Sequence, residues 1–395
     1  MTKASAQYLI MSGIFESENY ADLDFDEGIE IMCKFLIWGT GCEAEKYGAL
    51  LWKMKPDSME VIGFVDSNAA KRGKLFLGKT VYLPDELGML DYDYIAIWSY
   101  QYYDEIYCQA VDRYAVSPDR IKDIFSFYKQ KLEKKYTETD DEDLKEIIHR
   151  IREQRGVNVF YFEPSSKEEV WHEVYFDDKV QLQYIYFEGK RMYLKRNFDG
   201  VEERNGKQYA RNMYEEQGVN SPHRYEGGNV YVETGDILVD AGVCEGNFSL
   251  HHIDKVKKVY LIECDREWME ALHYTFEPYK EKVVFCEKFL SNVDSEQTIK
   301  LDTLVTDPVD FIKMDIEGEE IAALQGGRKT VTKSDGVKCA VCSYHRHGDE
   351  EKIKQILGEM GLKMHTSDGY MLFLYDEAVL TDPEFRRGVV RGRKG

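Results

Sequence analysis

Two glycines between an acid and a helix make the first pattern that could do chemistry. In Gly235-Asp-Ile-Leu-Val-Asp240-Ala-Gly242-Val-Cys-Glu-Gly246 an apolar strand ends at Asp240. Gly242 and Gly246 then allow the backbone to turn sharply and pass close to a ligand before a helix begins. The spacing is D-x-G-x-x-x-G, without the triple glycine that cradles a pyrophosphate. Further on, the strand Val259–Ile262 ends in Glu263. A carboxylate there can accept hydrogen bonds from both hydroxyls of a ribose. Singly, each feature also fits an ordinary strand-to-helix turn with a surface acid. In this order they suit a nucleoside ligand such as S-adenosylmethionine.

A second constellation follows. In Asp310-Phe-Ile-Lys-Met-Asp315-Ile-Glu317-Gly-Glu319-Glu320 a strand runs into Asp315 and a helix starts. The segments VDAGVCEGNFSL, LIECD, FIKMDIEGEEIAALQGG and AVCSYHRHGDEEKI occur in order. Together they resemble an FkbM-type S-adenosylmethionine-dependent methyltransferase over roughly residues 215–376, and Ser221-Pro-His-Arg-Tyr225 resembles the segment leading into that domain. The resemblance implies a class I methyltransferase fold and O-methylation, often of sugar hydroxyls in polysaccharides or glycosylated natural products. It makes Asp240, Gly242 and Gly246 the cofactor turn and Glu263 the ribose acid. It runs Phe285–Ser291 past the adenine and makes Asp315, Glu317 and Glu319 the acidic signature after the fourth strand.

Methyl transfer from a sulfonium is an in-line displacement in which the protein chiefly aligns the reactants. A sugar hydroxyl is a weak nucleophile and gains from a base within hydrogen-bond reach. His345 and Asp315 end successive strands and are the candidate bases, histidine being matched to neutral pH. Asp315, Glu317 and Glu319 also offer hard oxygen ligands that suit Mg2+. The competing reading of Glu317, Glu319 and Glu320 is a set of first-turn acids favoured by the helix dipole.

Nearer the N-terminus, Gly39-Thr-Gly41-Cys-Glu-Ala44 is a G-x-G-x-x-A turn, and Asp66 ends the next strand. Gly39, Gly41 and Asp66 match the dinucleotide fingerprint loosely. They resemble Rossmann-like N-terminal domains attached to sugar-modifying enzymes and acyltransferases, which implies a second nucleotide or nucleotide-sugar site or an accessory module. Tyr175-Phe-Asp-Asp-Lys179 fits the Tyr-x-x-x-Lys pair of a nicotinamide-dependent oxidoreductase, but in a strand-turn context that reads as chance.

The elements that must position these residues alternate. Apolar runs at 34–38, 61–65 and 94–98, with helical stretches between, predict a smaller parallel α/β domain over 1–126. Residues 127–156 are charge-dense, with Leu144, Ile147, Ile148 and Ile151 at helical spacing, and read as a helical linker. Residues 157–235 are rich in tyrosine, with a hairpin signal at Glu188-Gly189-Lys190, and read as a β-rich lead-in or cap whose exposed aromatics suit a homodimer surface. From 236 to 395 strands are expected at 237–240, 258–263, 282–286, 309–314, 337–343 and 370–375. The expected architecture is α/β throughout: a class I methyltransferase with a mostly parallel sheet and helices on both faces, preceded by a smaller Rossmann-like domain.

The 395 residues carry 52 Lys+Arg against 73 Asp+Glu, a formal net charge of −21. That balance argues against nucleic acid as partner, because phosphate binding needs a surplus of cations. The N-terminus lacks the pattern of a signal peptide, and no apolar run is long enough to span a membrane. Cys339 and Cys342 form a lone CxxC inside an apolar strand and read as packing residues, since structural zinc wants four ligands. A cytoplasmic enzyme acting on a sugar or glycoconjugate precursor is the leading expectation. Its rivals are a non-catalytic nucleotide-sugar-binding or scaffold protein and a nicotinamide-dependent sugar oxidoreductase.

Overall fold

The computed structural model describes residues 32–41, 57–99, 102–153, 173–196 and 213–395, together with 44, 45, 48, 52, 55, 157 and 159. It divides into two compact units. One runs through residue 158 and takes back residues 377–384; the other holds 159–376 and 385–395.

In the first unit, β1 (Cys33–Trp38), β2 (Met59–Val65), β3 (Leu75–Phe76), β4 (Lys79–Tyr82), β5 (Tyr94–Ile97) and β6 (Ile121–Asp123) form one sheet in the order β3-β4-β2-β1-β5-β6. All pairings are parallel except that of β3 with β4. β1 reads CKFLIW because both its faces are covered: Phe35 and Ile37 pack into one apolar cluster, Leu36 and Trp38 into the other. The charged stretch read as a linker belongs to this unit. It forms the helices Ser126–Tyr136 and Glu142–Glu153, and the second buries Leu144, Ile147, Ile148 and Ile151 on one face. The Tyr128 hydroxyl donates to the Val379 carbonyl at 2.6 Å, which ties the first helix to the returning segment.

The second unit opens with an antiparallel sheet of β7 (Tyr175–Asp177), β8 (Leu182–Phe187) and β9 (Lys190–Tyr193). Glu188 and Gly189 both have positive φ, as a two-residue hairpin turn requires. The main sheet holds β10 (Ile237–Ala241), β11 (Lys258–Ile262), β12 (Val283–Cys286), β15 (Phe311–Met314), β16 (Lys338–Cys342), β17 (Leu362–Thr366) and β18 (Val389–Lys394); the short pair β13 (Phe289–Leu290) and β14 (Thr298–Ile299) stands apart. Its order is β12-β11-β10-β15-β16-β18-β17, parallel except for β18, which runs antiparallel between β16 and β17. That is the strand order of a class I methyltransferase. Alternate residues feed two apolar layers: Leu238, Leu261 and Phe311 on one face, Val239, Tyr260 and Ile312 on the other.

One expected strand is absent. Met371, Leu372, Phe373 and Leu374 are buried but outside the sheet; Met371 makes only an isolated bridge to Arg386. A short apolar run signals burial and not extension. The sheet edge is instead completed by 362–366 and by the C-terminal VVRGRK. No helix among the described residues is long and apolar enough to cross a membrane.

Candidate active site

The carboxyl end of β10 touches the carboxyl end of β15. Gly242 has φ +74°, and a Cβ there would lie 1.7 Å from the Asp315 carbonyl oxygen. Only glycine permits both the left-handed turn and this approach. Gly246, also left-handed, ends the turn under Leu272 and Phe276, and the helix Asn247–His252 begins there. Glu263 closes the turn from the next strand: its Oε2 accepts the Cys244 N–H at 2.9 Å and its Oε1 the Asp265 N–H at 2.8 Å. Each carboxylate oxygen keeps a second lone pair for a ligand hydroxyl.

Asp240 lies beneath the turn. It is buried, accepts from the Ser249 hydroxyl at 2.6 Å and pairs with the Lys313 ammonium at 3.1 Å. Lys313 is itself buried on β15, donates to the Ala241 and Gly242 carbonyls and faces the Tyr225 ring at 5.0 Å. Asp240 therefore holds the turn through Lys313 and Ser249. Burial opposes the Lys313 charge, but Asp240 and Asp315 outweigh it and raise its pKa above the usual lysine value.

Asp315 is the hub of the crevice. Its Oδ2 meets His223 Nε2 at 3.1 Å and the Tyr225 hydroxyl at 2.8 Å. Its Oδ1 meets the Tyr344 hydroxyl at 3.1 Å and His345 Nε2 at 3.3 Å. Each histidine has a second carboxylate behind it: Glu216 lies 3.5 Å from His223 Nδ1, and Glu320 lies 3.1 Å from His345 Nδ1. Burial works against the charged imidazoles. For His223 the Asp315 and Glu216 carboxylates outweigh it and push the pKa up to about 9; for His345 the Glu320 and Asp315 carboxylates do the same, also to about 9. Burial likewise disfavours the Asp315 carboxylate, yet His223, His345 and Lys313 hold it well below the usual range. At neutral pH the cluster is an ionised aspartate between two imidazolium rings. His345 must lose a proton before it can act as a base.

The structure brings Asp315 and His345 together but not Asp315, Glu317 and Glu319. Glu317 and Glu319 are exposed, and Glu319 pairs with Arg346 at 2.8 Å. The acid that turns inward is Glu320, the first residue of the helix Glu320–Gly326 and 1% exposed. His223, Tyr225, Tyr344 and Glu320 join the site without a sequence signal of their own: His223 and Tyr225 lie in the segment leading into the domain, and Tyr344 stands beside His345. Cys339 and Cys342 are buried free cysteines packed into opposite layers, so they do not converge on one ion.

In the smaller unit Gly39 and Gly41 stand at the carboxyl end of β1, where the sheet order reverses between β1 and β5. Asp66 follows β2, but its carboxylate already accepts from the Thr40 hydroxyl, the Asn68 N–H at 2.8 Å and the Lys71 ammonium at 3.2 Å. Lys71 also donates to the Thr40 carbonyl at 2.6 Å.

Residues 184–372 match the model of the methyltransferase FkbM domain. The chain carries an FkbM methyltransferase domain. Residues 31–122 match a different family, the C2185-like N-terminal domain. No curated protein matches the chain. Among solved structures, a methyltransferase FkbM from Methylobacillus flagellatus KT aligns at 17% identity over 92% of this chain and 90% of its own, with a TM-score of 0.46. Magnesium protoporphyrin IX methyltransferase from Synechocystis with bound SAM aligns at 16% over 41% and 71%, with a TM-score of 0.29. Trm5b from Pyrococcus abyssi aligns at 12% over 58% of each chain, with a TM-score of 0.32.

Proposed function

We propose that the FkbM domain transfers the methyl group of S-adenosylmethionine to a hydroxyl of a sugar or glycoconjugate precursor. The observation that carries this reading is the contact of Gly242 with Asp315, which joins the glycine turn, Glu263 and the His223–Asp315–His345 cluster into one crevice. In this reading the Glu263 lone pairs take the ribose hydroxyls. The acceptor oxygen forms its bond to the methyl carbon as the sulfur–methyl bond breaks. The sulfonium becomes a neutral thioether, and the hydroxyl proton passes to His345 in molecules where that imidazole has first shed its own proton. The FkbM family supports a methyl acceptor, and the acidic net charge of −21 disfavours nucleic acid in that role.

Isothermal titration with S-adenosylhomocysteine tests the cofactor. Saturable binding at one site per chain is expected, weakened at least tenfold by Glu263→Ala. A folded sample that takes up no ligand would sink the reading. The acceptor is tested by mass spectrometry of host glycoconjugates after gene deletion, with loss of one methyl increment expected.

A further inference from the structure

Around His345 the proton network leaves one atom unexplained. Glu320 is buried; its Oε1 accepts the Ile316 N–H at 2.8 Å, and its Oε2 has no partner. A buried carboxylate oxygen without a partner is costly, and natural structures seldom carry one without a reason. The His345 nitrogens lie close to carboxylates, 3.1 Å from Glu320 and 3.3 Å from Asp315, yet neither is aligned for a hydrogen bond. An oxygen of Asp315, an oxygen of Glu320 and a nitrogen of His345 stand within 4.8 Å of one another. They come from three separate places: the end of β15, the start of the helix Glu320–Gly326 and the segment after β16.

We propose that Asp315, Glu320 and His345 form a binding site for a divalent first-row transition-metal ion. Once the ion has displaced the ring proton of His345 to solvent, two carboxylates and a neutral imidazole carry a charge of −2, which such an ion balances. The mixed oxygen and nitrogen donors suit Mn2+, Fe2+, Co2+ or Zn2+, whereas Mg2+ prefers an all-oxygen shell with several waters. The ion thus differs in class and in ligands from a Mg2+ on Asp315, Glu317 and Glu319. Donor atoms about 2.0–2.2 Å from one ion stand no more than about 4.4 Å apart, so the site closes with a contraction of a few tenths of an ångström. Its outer partners are in place: Tyr344, Tyr225 and His223 orient Asp315, and the Ile316 N–H orients Glu320. The role of the ion, though not its binding, rests on the methyl-transfer reading: it would hold the acceptor oxygen and lower its pKa.

The test is a Co2+ titration of the full chain after chelator stripping, read by visible absorption. One saturable d–d band per chain is expected, lost in Glu320→Gln and His345→Asn and kept in the exposed control Glu319→Gln. Zn2+ should displace the ion at stoichiometry, and Mg2+ in large excess should not. No saturable band, or a band that survives both inner variants, overturns the proposal. So does a thiolate-to-cobalt charge-transfer band, which would place the ion on Cys342. If both inner variants fail to fold, the wild-type spectrum and the Zn2+ and Mg2+ competition decide alone. Titration of the same samples with S-adenosylhomocysteine separates the two readings: cofactor binding without cobalt sinks only the metal site, and cobalt without cofactor sinks only the methyltransferase assignment.

Discussion

The two α/β sheets share a plan and diverge in the residues at their strand ends. In each, a glycine follows the first strand and presses on the backbone just beyond the fourth parallel strand. A Cβ on Gly39 would lie 2.3 Å from the Trp98 carbonyl, and one on Gly242 would lie 1.7 Å from the Asp315 carbonyl. Trp98 is a buried apolar side chain within its core cluster. Asp315 is a carboxylate ringed by two histidines and two tyrosines. The acids after the second strands diverge too. Asp66 is taken up by Lys71 and Thr40, while Glu263 accepts the Cys244 and Asp265 N–H groups and, among the described residues, is not paired with a cation. Topology supplies the strand-end junction in both places, and among the described residues the second gathers an aspartate, two histidines and two tyrosines.

The sharpest way to break the comparison is to remove its hub. Asp315→Ala leaves two buried imidazoles without their shared partner. A loss of about 3–5 kcal/mol in chemical denaturation is expected, together with loss of S-adenosylhomocysteine binding. Trp98→Leu should leave that binding unchanged. Gly242→Ala and Gly39→Ala come next. Each forces a Cβ into a carbonyl at positive φ, and a cost of about 3 kcal/mol is expected in the unit that holds it, resolved by segment-specific hydrogen exchange. Cofactor binding should fall at least tenfold in the first variant and stay unchanged in the second.

A pH series separates the units without mutation. The folded-state values of His223 and His345 are raised to about 9, so the stability they contribute is fully present below their unfolded value of about 6.5 and is lost as pH rises through 9. In metal-stripped protein this amounts to a loss on the order of 3 kcal/mol for each histidine, all of it in the larger unit, between those limits. In the smaller unit, burial opposes the Asp66 charge, but Thr40, Asn68 and Lys71 lower its pKa overall. Its contribution is present above the unfolded value and is lost as pH falls through the folded one, so that effect appears in acid. Equal alkaline losses in the two units would contradict the histidine assignment. The smallest effect is expected at Glu319→Gln. It breaks an exposed pair with Arg346, and a change below about 0.5 kcal/mol, with cofactor binding intact, is expected.

Much of the frame was legible in the residues. The glycine turn, Glu263 and Asp315 could be placed because each lies at the end of a short apolar run, and a buried parallel strand reads the same way wherever it occurs. The strand order of the main sheet was implied by the FkbM resemblance and is present. The apolar run 370–375 misled because burial and extension look alike over so few residues. The acids after Asp315 misled for a different reason. Three glutamates in four positions differ only in their angle around one turn, and Glu320 faces inward while Glu317 and Glu319 face out.

The sequence by itself determined where the chain turns, which strands are buried and which two acids end them, because these depend on neighbours a few residues apart. Only the tertiary structure decided what surrounds Asp315. His223 and Tyr225 reach it from about 90 residues upstream and Tyr344 and His345 from about 30 downstream. It decided as well that Asp240 holds the glycine turn through Lys313, and that Lys71 occupies the acid of the smaller sheet. Charge partners are set by which segments cross at a strand end, and local pattern carries no record of that crossing.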